Sequence, residues 1–358
     1  MISYLLNKIS YAILTLFGVV TVIFFLFNVL PGDPAQMMLG QNEDSEQLAL
    51  VKQKYGFDKP ISTQYLYYIN DLSPISFHSN NSKDYTFLTT GKYNASKLVT
   101  FGNTIIVLKL PYLRESFTKQ GKQVSEVLGE TLPNTFVLAV SAIIIAIFIG
   151  VFLGIVSALY KDKWLDKTIQ IFSTLGMSIP SFFSAILFAW FFGYILHEYT
   201  NLEMTGSLYE LDDFGEAMHI KWKNLILPAI VLGIRPLAVV IQLMRNSLLE
   251  VLNQDYIRTA RAKGLSEFQI IKRHAVKNAL NPVVTAISGW FASMLAGAVF
   301  VEYIFGWNGL GKEIVNALNT LDLPVIMGSV LIIAVLFIII NIFVDIIYAW
   351  LDPKVKLE

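Results

Sequence analysis

Apolar residues in this chain gather into six long runs, near 9–30, 134–160, 168–196, 224–244, 282–303 and 324–351, separated by polar stretches of very unequal length. Crossing a hydrocarbon core as a helix takes about 20 residues, so each run is long enough to span a membrane. A closed barrel would instead show short alternating segments, and lipid tolerates no third solution for backbone hydrogen bonds. The pattern therefore predicts an all-α, polytopic membrane protein with six transmembrane helices. The first run exceeds a signal-peptide core and no small-x-small site precedes Leu30-Pro31, so it is read as a retained helix. The expected organisation is one spanning helix over 1–30, a long excursion over 31–132, a five-helix membrane core over 133–351 enclosing a basic loop at 246–281, and a tail at 352–358.

Composition agrees: 54% of residues are hydrophobic, 15% are charged, and mean hydropathy is +0.56. A formal net charge of +0 argues against bulk attraction to nucleic acid. There are no cysteines, hence no disulfide, thiolate metal site or cysteine nucleophile, and the redox compartment stays undecided. The placement of charge says more. Lys161, Lys163 and Lys167 follow the second run, Arg245, Arg258, Arg261, Lys263, Lys272, Arg273 and Lys277 lie between the fourth and fifth, and Lys354 and Lys356 follow the sixth. The other short connections hold only Lys221, Lys223 and Lys312. The positive-inside rule predicts that the first set and both termini are cytoplasmic.

The excursion over 31–132 then lies outside. Asp44 with Gln47 gives a capping-box start, Leu48, Val51 and Tyr55 recur at helical spacing, and Gly56 can end that helix. From 73 to 122 the chain is polar and aromatic, with β-branched runs such as Thr104-Ile-Ile-Val107. This stretch reads as a tolerated loop insertion or as a receptor-contact module.

Within the spans, small residues recur every four positions, at Gly150 and Gly154 and at Gly289, Ser293 and Gly297. They predict close helix packing, with the second set alternatively facing a partner membrane subunit. Arg235 is the one full charge near the middle of a span, which costs at least about 2.5 kcal/mol in lipid, so it must face protein or water. Pro236 frees a carbonyl one turn earlier. Arg235 either pins that kink or lines a pore and meets a carboxylate. Glu302 and Asp345 lie nearer helix ends and are expected to anchor the interfaces.

Apparent catalytic motifs fail on chemistry. Gly306-Trp-Asn-Gly-Leu-Gly-Lys312 matches a phosphate-binding loop as far as its lysine, but Glu313 stands where magnesium coordination needs a hydroxyl. Gly176-Met-Ser178 lacks a histidine on a facing helix, and Ser178 with Pro180 is better read as a break in the third run. No histidine or carboxylate cluster has metal-ligand spacing within the spans. A stand-alone secondary transporter would carry midplane carboxylates and two related halves, and neither is clear here.

The segment from Asp255 to Pro282 is basic and amphipathic. Gly264 can supply a left-handed cap and Ser266 with Gln269 a capping box, giving a short helix, a sharp turn and a second helix. Tyr256-Ile-Arg-Thr-Ala-Arg-Ala-Lys-Gly-Leu265 resembles the EAA loop of permease subunits in ATP-binding-cassette importers, most closely the dipeptide/oligopeptide family. The resemblance extends to Leu30-Pro-Gly-Asp-Pro-Ala35, Tyr55-Gly-Phe-Asp-Lys-Pro60 with Gln64-Tyr65, Thr131-Leu-Pro-Asn-Thr135, Gly309-Leu-Gly311 and Leu351-Asp-Pro353. The 73–122 stretch departs from it, since the family's excursion is shorter.

The resemblance implies a type I importer permease fold and a non-catalytic subunit of a bacterial or archaeal cytoplasmic (inner) membrane, forming half of a pore for di- or oligopeptides. It implies a second permease, two ATPase subunits that hold ATP and magnesium, an extracytoplasmic binding protein, and no cofactor on this chain. Asp255, Tyr256, Arg258, Thr259, Ala260, Arg261, Ala262, Lys263, Gly264 and Leu265 would couple to the ATPases, with Arg258, Thr259 and Ala260 standing where the wider family has Glu-Ala-Ala. Ala260 and Ala262 would keep the helix thin enough for a groove, and Leu265 would insert into it. Nickel or another small solute is the alternative cargo within the same family.

Overall fold

The computed structural model describes residues 2–29, 35–36, 45–82, 84–89, 92–212 and 217–351. The readings at Leu30-Pro-Gly-Asp-Pro34, Asp44, Asp352-Pro353, Lys354 and Lys356 fall outside these residues. Backbone contacts divide the chain into two compact units, residues 1–130 with 316–335 and residues 131–315 with 336–358. Among the described residues, four helices are long and apolar enough to cross a membrane alone, and two bent helix pairs raise the number to as many as six. The six apolar runs map onto these elements.

In the first unit, α1 (Ile2–Val29) supplies Val20, Ile23 and Phe24 to a small apolar core. The expected amphipathic helix is α2 (Ser45–Tyr55), with Leu48, Val51 and Tyr55 half-buried along one stripe. It ends at Gly56, whose φ of +73° is the left-handed conformation a glycine adopts without strain. Next, α3 (Ile61–Leu72) adds Tyr68 to the core, which Met327 completes. The 73–122 stretch folds into an antiparallel sheet of β1 (Ile75–Ser79), β2 (Ala95–Phe101) and β3 (Thr104–Lys109), ordered β1-β3-β2 with a bulge between Lys97 and Val99. The β-branched run lies in the central strand, where Ile105 and Val107 are buried.

Asp71, fully buried, organises this unit. Its carboxylate accepts from Tyr85 Oη at 2.8 Å, Tyr93 Oη at 3.1 Å and Arg114 Nε at 3.0 Å, while Lys109 Nζ donates to its backbone carbonyl. Asp322 plays a similar part, accepting from the backbone N–H groups of Phe117 and Thr118 and from the hydroxyls of Ser116 and Thr118. Each carboxylate replaces its lost hydration with several donors, which is what makes a buried charge tolerable.

The second unit starts within α4 (Val124–Leu159). The third apolar run breaks as expected into α5 (Trp164–Ser178) and α6 (Ser181–Trp190), bent by 110° at Ile179-Pro180, and a π turn over Phe191–Ile195 extends α6. A short hairpin of β4 (Tyr209–Leu211) and β5 (Met218–Ile220) leads into α7 (Lys223–Leu252), the central helix. After α7 come α8 (Asp255–Ala262) and α9 (Glu267–Ile270), which continues through a π turn at Ile271–Ala275. The fifth run is α10 (Asn281–Gly297) with α11 (Val299–Phe305), followed by α12 (Leu310–Asn319) and α13 (Leu323–Leu351).

Small residues let α7 sit this centrally. A Cβ on Gly150 would lie 2.7 Å from Val240, and one on Gly154 would lie 2.6 Å from Met244, so this pair is an α4–α7 packing seam. Gly289 has nothing within 4 Å of its Cβ position and Ser293 is exposed, so these two are not packed against the described residues. The surroundings of Gly297 lie outside the described residues.

Candidate functional site

The basic loop is a helix, a turn and a helix. Gly264 takes φ +79° with open space where a Cβ would be, and its N–H reaches Arg261 O at 2.9 Å. Ser266 and Gln269 form the reciprocal capping box that opens α9. Arg261 Nε donates to Glu267 at 2.9 Å across the turn, and Arg258 meets Asp255 at 3.3 Å. Both pairs are exposed and add little stability, so they shape the surface more than they hold the fold.

The inward face of α8 is apolar. Ile257 and Ala260 are buried in one cluster with Met244 and Leu248 of α7, Ile270 and Ala275 after the turn, and Val283 of α10. This corrects the reading of Ala260, while Leu265 keeps part of its surface open. Ala260 is 6% exposed and packs on the chain's own core, and Leu265 is half-buried beside it. Their apolar character serves attachment of α8 to the spans. The outward face carries Asp255, Tyr256, Arg258, Thr259, Arg261, Ala262 and Lys263, all exposed. Phe268, 72% exposed just past the turn, is an apolar surface residue the sequence reading missed. Its signal was the helical phase, since burial of Ile270 turns the residue two positions earlier outward.

Upstream of this loop, Arg245 and Asp166 form a bidentate pair, with Nε to Oδ1 and Nη2 to Oδ2 both at 2.7 Å. Ser157 Oγ and the Asp162 N–H also donate to that carboxylate. The end of α4, the start of α5 and the lower half of α7 are thus joined at one charge.

Arg235 is exposed on α7 and makes no hydrogen bond or ion pair with any described residue, whereas Pro236 beside it is buried. Both line a cavity of about 80 Å³ with Ser181, Ser184, Trp290 and Ser293. The guanidinium makes no hydrogen bond to the carbonyl that Pro236 leaves free.

The would-be phosphate loop is occupied by its own protein. The backbone N–H groups of Gly311 and Lys312 donate to Glu302 Oε2 at 2.6 and 3.2 Å, that of Leu310 to Thr135 Oγ1 at 2.7 Å, and that of Asn308 to Ser207 Oγ at 3.0 Å. Lys312 Nζ is held by Gly306 O and Asn308 Oδ1. Glu302 therefore fills the nest that an anion would need. Trp307 is fully buried and donates Nε1–H to Asn134 O, so Thr131-Leu-Pro-Asn-Thr135, within α4, is hydrogen-bonded to the turn that leads into Gly309-Leu-Gly311. A Cβ on Gly311 would lie 2.5 Å from Val299 Cα. Gly311→Ala is expected to destabilise the purified protein by about 1–3 kcal/mol, read as a lower Tm; an unchanged Tm would refute this packing.

The second unit is thus a helical core with a bent third span and a short basic helix, α8, packed on its central helix. The fold is that of a solved structure of the MetNI methionine ABC transporter in an inward facing conformation, with TM-score 0.50 and 17% identity over 63% of this chain and 97% of that one. The model of the binding-protein-dependent transport system inner membrane component matches residues 150–357, and that of its N-terminal region matches residues 1–84. The chain belongs to this family and is a non-catalytic, multi-pass membrane subunit. It is 32% identical to the dipeptide transport system permease protein DppB of Alkalihalophilus pseudofirmus, over 99% of this chain and 100% of that protein. Identity is also 32% to the di/tripeptide transport system permease protein DppB of Pseudomonas aeruginosa and 30% to the glutathione transport system permease protein GsiC of Salmonella typhi, each over 99% of both chains.

Proposed function

We propose that this chain forms half of the pore of an ATP-driven importer of di- or oligopeptides and receives the motion of cytosolic ATPase subunits through α8. The attachment of α8 carries this reading. Its inward face shares one apolar cluster with α7 and α10, so a push on α8 moves both spans as a lever. Its outward face offers Arg258, Arg261 and Lys263, suited to acids on an ATPase, and Phe268 adds an apolar contact. The charge distribution supports a cytoplasmic loop and cytoplasmic termini. Relatives named for dipeptides, di/tripeptides and glutathione, each a short peptide, support the cargo class. An extracytoplasmic binding protein would deliver it. A second permease would complete the pore, and the exposed small-residue edge at Gly289 and Ser293 suits close approach of its helix.

The turn supplies the test. A Cβ at Gly264 meets nothing, so substitutions there act through backbone conformation alone. Gly264→Asn tolerates the left-handed region and is expected to keep association with the ATPases and ATP-dependent peptide uptake. Gly264→Val disfavours it by roughly 1–2 kcal/mol and is expected to insert normally while losing most uptake. Wild-type association and uptake in Gly264→Val would remove the case for this turn as the coupling point.

A further inference from the structure

The first unit holds a cavity of about 690 Å³ that the transport reading does not use. Its size lies within the range typical of small-molecule sites. Part of the wall is aromatic, from Tyr55, Phe57, Tyr112 and Phe117, with the Phe57 and Phe117 rings edge to face at 6.1 Å. Charge enters from two signs. Lys92 and Arg114 line it as cations, with exposed Lys54 at its edge beside Tyr55, and Glu115, half-buried, lines it as an acid that makes no hydrogen bond or ion pair with any described residue.

Lys92 and Arg114 are held in place. Lys92 Nζ lies 3.7 Å from the centre of the Tyr85 ring and 4.9 Å from that of Tyr93, and it donates to Tyr85 O at 3.1 Å. Burial pushes this ammonium down to about 8, against the pull of Asp71, so it is charged at neutral pH but poorly solvated. Arg114 donates Nε–H to Asp71, while its two terminal nitrogens make no hydrogen bond to described residues. Its φ of +69° is a strained backbone state for a non-glycine residue, of the kind that collects at ligand sites. Asp84 also lines the cavity, but its carboxylate already accepts from Ser79 Oγ.

We infer that this cavity is a binding site for a small zwitterion with an apolar side chain, of the size and chemistry of a short peptide, its carboxylate on Lys92 and Arg114 and its ammonium on Glu115. Paired charges of opposite sign in one aromatic-walled cavity select against singly charged solutes, because either unmatched pole would be left desolvated. The inserted segment would thus hold cargo itself. This deepens the importer reading and rests on it.

The test uses the full chain in lipid nanodiscs and calorimetric titration with the dipeptide Ala-Phe, its C-terminal amide and its N-acetyl form. Ala-Phe is expected to bind, and each blocked form to bind roughly tenfold more weakly, the effect of losing one charge-assisted bond. Lys92→Gln should weaken Ala-Phe by a similar factor and leave the amide unchanged, and Glu115→Gln should weaken Ala-Phe and leave the N-acetyl form unchanged. No Ala-Phe binding, or equal binding to wild type and both variants, overturns the site. Uptake by the reconstituted importer separates the two readings. ATP-dependent Ala-Phe uptake without binding at this cavity defeats only the site, whereas uptake of no short peptide defeats the importer reading itself.

Discussion

Asp166→Ala is expected to lower the stability of the purified permease by about 3 kcal/mol, the low end of the range for breaking a buried pair, because Arg245 keeps 19% of its side chain exposed. The carboxylate is 3% exposed and meets Arg245 through two 2.7 Å bonds, with Ser157 and Asp162 filling its other acceptor sites. Removing it strands a guanidinium among partly desolvated helix ends. Arg245→Leu combined with Asp166→Leu should be less damaging than either single change, since an apolar pair leaves no charge behind. A double-mutant cycle read by thermal melting in detergent gives the coupling. Additive effects across the cycle would show that the pair is not coupled in the native protein.

That pair also shows where the sequence falls short. Asp166 sits among Lys163 and Lys167 and looks like part of a basic turn, while its partner is 79 residues away, so no local pattern joins them. Asp71 is hidden for the same reason, since its partner Arg114 lies 43 residues further along the chain. The basic loop was legible because its determinants are local: a glycine at the left-handed position and a capping box across Ser266 and Gln269. The six runs were legible because crossing lipid demands a length that chance seldom gives. What local rules could not assign was the phase of α8. Ala260 and Leu265 turn inward because Met244, Leu248 and Ile270 wait there, and that depends on neighbours brought in from α7 and from beyond the turn. The sheet was only partly foreshadowed, for β2 is exposed along nearly its whole length and lacks the alternation that marks a half-buried strand.

Arg235→Leu is expected to abolish ATP-dependent uptake and Arg235→Lys to retain much of it, with Tm near wild type in both. The reasoning starts from cost. A central arginine in lipid costs at least about 2.5 kcal/mol, so an exposed one without a partner among the described residues needs water, a neighbouring subunit or cargo around it. The two roles open at the sequence level differ in what lysine can replace. A guanidinium bracing the Pro236 kink would use several fixed hydrogen bonds, and lysine could not reproduce that fork. No such bond links Arg235 to the described residues, and its cavity is shared with Ser181, Ser184 and Ser293, hydroxyls compatible with a hydrated path. A pore cation meeting a peptide carboxylate needs charge more than geometry, which lysine supplies. Uptake and melting measured on the same preparations decide between them: full uptake in Arg235→Leu ends the pore role, and a matched loss of Tm in both variants restores the bracing role.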